Sequence, residues 1–586
     1  MNDSQRCQTP DALFERLEPE RMMNTVRALC CMGEKVSGTA EELQACDWIT
    51  GQLARYGVAW KVHAFDALIS HPRHTALRWL GDVPRSIDAV GVAFSRETGP
   101  EGIEAELVWV GQGKPSDYDG RDVRGKIVLI GALPEYGACA AAWRAGAVGL
   151  LGASSGPQRH KMTCSPIWGS PASEDERRQI PDIAAASVNR PDFEVLRAGL
   201  ADGPVRVNLV AEVETGWRTV QLPVAEIAGT SPQFLLAGAH YCTWFDGATD
   251  NVAADAILLE LARVFADSRP QVGLRMAWWP GHSQGRYAGS TWYADQFWLE
   301  LHQHCIGYLN IDINGSRGAV KKALRNVTAE AEAFAASAID RALGRPGATD
   351  GTREMLKRPD RYADRRRPHR GSDQSFLGIG ITSLQVSSFL LEDDPDRIAG
   401  GGLPRWWHAV EDRADMVDAG VLLEDARIHV GLVHGLLQAS MLPFELEPIA
   451  TDFDAALREL REAAPELALL DDLQRTVDTF RHAASGFRAA RERLAPDMGN
   501  QAVLDVLRLL TPVLYATSSG FQPDRATSLR LLPGLTPVLS LHGMPHADRL
   551  QTGTLLRRAA NRIAHALTGA ADALTRVSST ISNSDA

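Results

Sequence analysis

The sequence predicts an α/β protein interrupted by a β-rich insert and closed by a helical region. Three observations predict it. Residues 234–237 (FLLA) form a short apolar run that leads through Gly238 and Ala239 to His240; after a loop, Ile257, Leu258, Leu261, Val264 and Phe265 recur at helical spacing over residues 252–265. From about residue 89 the texture changes to short apolar runs separated by glycine turns. Past about residue 448 the apolar residues fall at helical intervals, with Leu473, Val477, Phe480, Ala484 and Phe487 on one stripe, a packing face.

A chain of 586 residues is too long for one core, so two to four domains are expected. A hydrophobic content of 45% with 23% charged residues describes an ordinary globular protein. The formal charge of −12 argues against nucleic acid or an anionic membrane as partner. Residues 1–20 lack the apolar core of a signal peptide, and no stretch has the apolar length of a membrane span. The eight cysteines show no CxxC or zinc-finger spacing and read as reduced, mostly buried thiols. A cytoplasmic protein is the expectation.

Taken in order, residues 11–57 read as two helices, the first with Leu13, Leu17, Met22, Val26 and Leu29 on one face, the second over 41–56. Between them Ser37-Gly38-Thr39 followed by Glu41-Glu42 is a helix start. Residues 107–111 and 122–130 read as strands, and a helix through 138–144 leads into the glycine turn of residues 145–149 (AGAVG). Alternating apolar residues resume near Thr219 and run into the central stretch. Residues 272–279 (VGLRMAWW) form a strand, followed by Pro280-Gly281-His282-Ser283-Gln284-Gly285 and, further on, Gly289-Ser290. Residues 306–315 (IGYLNIDING) form another, carrying Asn310-Ile311-Asp312. A basic stretch over 353–370, which includes Arg367 and Arg370, precedes Gly371-Ser372-Asp373, and residues 404–412 (PRWWHAVED) hold His408 and Asp412.

His240 therefore ends a buried strand and Asp250 stands just before a helix. Open α/β sheets place their chemistry in the crevice at strand carboxyl ends, and an imidazole with a carboxylate there can share a divalent metal. Each residue also has an ordinary reading: Asp312 as a turn residue, His408 as a packed histidine beside two tryptophans, Cys242 as a buried thiol, the basic run as a solvated loop.

These residues in this order resemble the co-catalytic zinc exopeptidases, the aminopeptidase and glutamate carboxypeptidase group. The resemblance implies a mixed central sheet flanked by helices over residues 1–88 and 217–447. It also implies an inserted protease-associated domain over 89–216, which forms a lid, and a helical dimerisation domain over 448–586, hence a homodimer. In that family the pattern His-x-Asp, then Gly-Ala-x-Asp-Asn, supplies a zinc ligand, an orienting acid and a bridging carboxylate. Carried over, His240, Asp250 and Asp312 hold one metal, and Asp250 with His408 contributes to a second. Ser37-Gly38-Thr39 resembles the family's loop under the active-site sheet, and Ser372-Asp373 its segment beside the site. Arg367, Arg370, Ser372 and Asp373 are the substrate-side candidates, the arginines suited to bidentate pairing with a substrate carboxylate.

Three residues depart from the family pattern. Cys242 stands in place of the orienting acid, and His282 and Ser283 replace the glutamates that serve as general base and second-metal ligand. His282 can act as base near neutral pH or complete a metal site, and Cys242 joins it as a candidate for chemistry. The resulting expectation is a metal-dependent hydrolase of an amide or peptide-like bond in a small substrate or short peptide. Its cofactor is a divalent metal, zinc by resemblance, as one or two ions. The alternatives are a single-metal lyase or cyclase and, as in the transferrin receptor, a non-catalytic dimeric binding protein.

Overall fold

The strand Phe234–His240 is buried along its whole length, because parallel neighbours on both sides and helices on both faces leave it no solvent edge. It pairs with Gly273–Trp279 on one side and Cys305–Asn310 on the other, and Ser383–Phe389 extends this parallel set. Antiparallel pairing of Gly273–Trp279 with Val205–Ile227, and of Ser383–Phe389 with Lys321–Leu324, makes the sheet mixed. The structure, a computed structural model, describes residues 9–344, 371–398, 402–517, 520–527 and 529–582.

The sheet does not stop at the expected domain boundary. Ala59–Leu80 and Val205–Ile227, 22 and 23 residues long, pair antiparallel from Ala59 opposite Glu226 to Leu80 opposite Arg206. This ribbon carries the sheet out of one core and into the next, where Ile103–Trp109, Ile127–Ile130, Gly149–Ala153, Ala184–Val188, Ala89–Ala93 and Met162–Thr163 continue it to fourteen strands. The division read between residues 216 and 217 falls inside one unbroken strand. Ala59–Leu80 was not visible as a strand either, because charged and polar residues on its solvent-facing positions blur the alternation.

The helix Ala253–Phe265 is buried on nearly every residue, as expected for a helix held between sheet and neighbouring helices. Ala40–Arg55 starts at Thr39, whose side chain caps the amide of Glu42, while Glu42 Oε2 accepts from the Gly38 amide at 2.9 Å. The Thr39 cap is the helix start that the sequence signals. In the C-terminal region Glu447–Ala463, Leu469–Ala490, Pro496–Tyr515 and His546–Ser582 are helices. The stripe Leu473, Val477, Phe480, Ala484 and Phe487 is buried in the same core as Phe453, Leu510 and Leu567, so it is spent within the chain. Among the described residues no helix is long and apolar enough to cross a membrane.

Candidate active site

Four loops at the carboxyl ends of the parallel strands bring the candidate residues together, and each is held by a bond that its sequence explains. Gly238 lets the preceding strand lie against the Trp279 indole: a Cβ there would stand 2.2 Å from Trp279 Nε1. His240 follows, 3% exposed. Its Nδ1 lies 2.9 Å from the carbonyl oxygen of Cys242. A carbonyl only accepts, so Nδ1 carries the proton and Nε2 points into the site. The missing orienting acid is thus replaced by main chain, with the Cys242 backbone doing what a carboxylate would do.

Asp250 sits between two imidazoles. Its Oδ1 is 3.1 Å from His240 Nε2 and its Oδ2 is 3.1 Å from His408 Nε2. The loop that presents it begins at Gly247, whose φ of +60° favours glycine and whose Cβ would meet Asp250 O at 2.7 Å. Asp412 then pins this loop, accepting from Thr249 N at 2.9 Å, Thr249 Oγ1 at 2.8 Å and Asp250 N at 3.2 Å. Asn251 ties it to the next loop: its Nδ2 donates to Ile311 O at 3.0 Å and its Oδ1 accepts from Ile313 N at 3.3 Å. Asp312 lies between those two contacts, with Oδ1 3.7 Å from His240 Nε2.

Electrostatics follow the geometry. Burial opposes charge on His240, but its hydrogen bond with Asp250 and the facing carboxylate of Asp312 carry its pKa well above the ordinary imidazole value. Burial likewise opposes charge on Asp250, and hydrogen bonds from His240 and His408 nonetheless hold it well below the carboxylate range.

His282 lies flat on His240, ring centroids 3.7 Å apart and planes 13° from parallel. Its Nδ1 is 2.9 Å from Asp373 Oδ2, and its backbone amide donates to Cys242 Sγ at 3.1 Å. The loop before it is fixed by Ser37 of the Ser-Gly-Thr turn, whose Oγ accepts from Gly281 N at 2.7 Å. Asp373, read from the sequence as a substrate-side residue, is fully buried and gives its second oxygen to Ser290 Oγ at 2.9 Å. Both of its oxygens serve the site's scaffold. Ser372 likewise accepts from Asn310 Nδ2 at 2.7 Å. Cys242 is 1% exposed, with its sulfur engaged by the His282 amide, a place that suits packing better than nucleophilic attack. Arg367 and Arg370 lie outside the described residues.

The donor set fits a metal. Ligand atoms of His240, His282 and Asp312 lie within 4.8 Å of one another, and Asp312 Oδ1 is buried with no hydrogen-bond partner among the described residues. Neutral imidazole and carboxylate oxygen together suit zinc. Sequence reasoning missed two contributors, Asp373 as partner of His282 and the Lys161 carbonyl, 2.7 Å from His408 Nδ1. Neither has a local signal, since each is defined only by where distant segments meet.

Residues 224–432 match the family model of peptidase family M28. The chain is 22% identical over 351 residues to a probable glutamate carboxypeptidase, VP8, of Zea mays, covering 49% of each chain. It is 29% identical over 252 residues to carboxypeptidase Q of Xenopus laevis, covering 39% of this chain and 50% of that one. The chain thus spans about half the length of these relatives. Among solved structures, the aminopeptidase from Aneurinibacillus sp. strain AM-1 aligns with a TM-score of 0.53 at 22% identity, over 73% of this chain and 96% of that one. The zinc aminopeptidase BSAP from Bacillus subtilis aligns at 0.54 and 18%, over 72% and 95%. The fold is theirs: a central mixed sheet flanked by helices. Residues 224–432 are thus similar to peptidase family M28, in line with the resemblance to the co-catalytic zinc exopeptidases.

Proposed function

We propose that the protein is a metal-dependent hydrolase of an amide or peptide bond in a small, peptide-like substrate. The observation that carries the reading is Asp250, which turns one oxygen to His240 and the other to His408 at 3.1 Å each. A carboxylate so placed can serve two adjacent metal positions. His240, Asp250 and Asp312 would hold one ion, and Asp250 with His408 would contribute to a second. A divalent metal bound there supplies Lewis-acid polarisation of the scissile carbonyl and acidifies water.

The residues of the chain supply the rest. His282 replaces the missing glutamate as general base: its Nδ1–H stays on Asp373, which leaves Nε2 to take a proton from the attacking water. The same nitrogen then returns that proton to the departing amine. Asp373 fixes the tautomer, and stacking on His240 fixes the plane of the ring. The buried Ser290–Asp373 bond keeps the carboxylate from turning away.

A second reading has one observation in its favour. The closeness of His282 to His240 and Asp312 also suits His282 as a third ligand of a single ion, in a lyase or cyclase. Metal content and turnover separate the readings. Protein purified without a metal column is assayed for bound zinc and for cleavage of a dipeptide and aminoacyl-amide panel. The hydrolase reading expects metal, amide turnover, and loss of turnover but not of metal in His282→Ala. Loss of metal in that variant favours the ligand role, and a metal-free protein overturns both.

A further inference from the structure

The insert meets the candidate metal site at Lys161. Its main chain pairs with His408 in both directions: Lys161 N donates to His408 O at 3.0 Å, and the Lys161 carbonyl accepts from His408 Nδ1 at 2.7 Å. The second bond forces the Nδ1–H tautomer and leaves His408 Nε2 facing Asp250. One residue earlier, His160 Nδ1 lies 2.5 Å from the Trp407 carbonyl, and the Trp407 ring stacks on His408 at 3.7 Å. His408 itself has φ +58°, a conformation that needs outside support in a residue other than glycine.

The side chain of Lys161 anchors that main chain to the other half of the site. Its ammonium is 2.5 Å from Glu34 Oε1 and lies over the rings of Phe245, at 4.5 Å, and Trp244, at 5.3 Å. Glu34 Oε1 also accepts from Phe245 N at 3.2 Å. Trp244 and Phe245 belong to the loop that runs from His240 to Asp250. Thus one ion pair, only 9% and 24% exposed, joins the insert, the loop before the helix Ala40–Arg55, and the loop bearing two candidate ligands. A fold-only role for the insert would not require its main chain to select a tautomer.

We infer that Lys161 is a positioning residue for His408, so that the half-site to which His408 contributes is completed by docking of the insert. The inference rests on the reading of His408 as a metal ligand. Partners that orient a ligating histidine change metal affinity by about 10–100-fold when lost. The effect should appear in binding of the metal and be confined to one equivalent.

The test is zinc binding to the chelator-stripped full chain, measured by competition with a chromogenic chelator, alongside the melting temperature without metal. Lys161→Met keeps the aliphatic stem and removes the charge. It should weaken the equivalent that His408→Ala abolishes by about tenfold or more, leaving the other unchanged. Lys161→Arg should restore binding, and Glu34→Gln should weaken the same equivalent, with the double variant no weaker than either single one. Wild-type binding in both Lys161→Met and Glu34→Gln, while His408→Ala loses an equivalent, overturns the inference alone. Unchanged binding in His408→Ala overturns the reading beneath it and the inference with it. Should Lys161→Met not fold, Glu34→Gln decides.

Discussion

His282 and Asp373, 91 residues apart, share a 2.9 Å hydrogen bond in which the carboxylate is fully buried. The pair turns the substitution of the family's glutamate into a coherent base, because a histidine needs a partner on one nitrogen to be useful at the other. Asp373→Asn should lower kcat on any amide the protein cleaves by about 10²–10⁴-fold, the usual worth of a general base. Bound metal should stay as in the wild type. Steady-state kinetics with metal analysis of the same preparations check it, and unchanged kcat would remove His282 from the base role.

Among the described residues, Asp250 is the carboxylate that faces both candidate half-sites. Asp250→Ala should therefore lose all tightly bound metal. Stripping metal from the wild type should lower its melting temperature, since a ligand at 100 times its Kd adds about 2.7 kcal/mol of stability. Adding zinc should restore the wild type and leave the variant unmoved in differential scanning fluorimetry.

Glu42 under the Ser-Gly-Thr turn titrates unusually: burial pushes its pKa from 4.5 up to about 7, with the Gly38 amide pulling the other way. A carboxyl whose folded pKa lies above its unfolded one binds more protons when folded, so its contribution is fully present below the unfolded pKa. That contribution is lost as pH rises from about 4.5 to about 7 and amounts to roughly 3 kcal/mol. Glu42→Gln should flatten this slope in urea unfolding measured between pH 5 and pH 8. A parallel slope in wild type and variant would show that Glu42 is not its source.

Gly289 opens the helix Ala288–Gln296 against the loop of His282. A Cβ there would stand 2.6 Å from both Cδ and the carbonyl oxygen of Pro280, and backbone cannot move aside as a side chain can. Gly289→Ala should cost about 1–3 kcal/mol. Chemical denaturation reads the loss, and a neutral result would mean that the Pro280 turn is softer than its packing implies.

Cys242 contributes its carbonyl to His240 and its sulfur to the His282 amide. Only the sulfur depends on the side chain. Cys242→Ala should keep kcat within a few-fold while shifting the His282 loop slightly. Abolished turnover with intact metal would return the thiol to the chemistry.

Part of this architecture is written in local patterning along the chain. Apolar runs ending at His240 and near Asp312 mark strand carboxyl ends, and Thr39 with Glu42 marks a helix start. These rest on periodicity and caps within a few residues, which is why they were legible. The rest depends on segments far apart in the chain that meet only on folding. The 22- and 23-residue ribbon strands find each other across the insert, Asp373 reaches His282, and Lys161 reaches His408 across 247 positions. No spacing rule relates such residues, because their proximity is set by strand order and by how the insert docks. The replacement of the orienting acid by a backbone carbonyl belongs with them: every residue has a carbonyl, and only the turn after His240 aims this one at Nδ1.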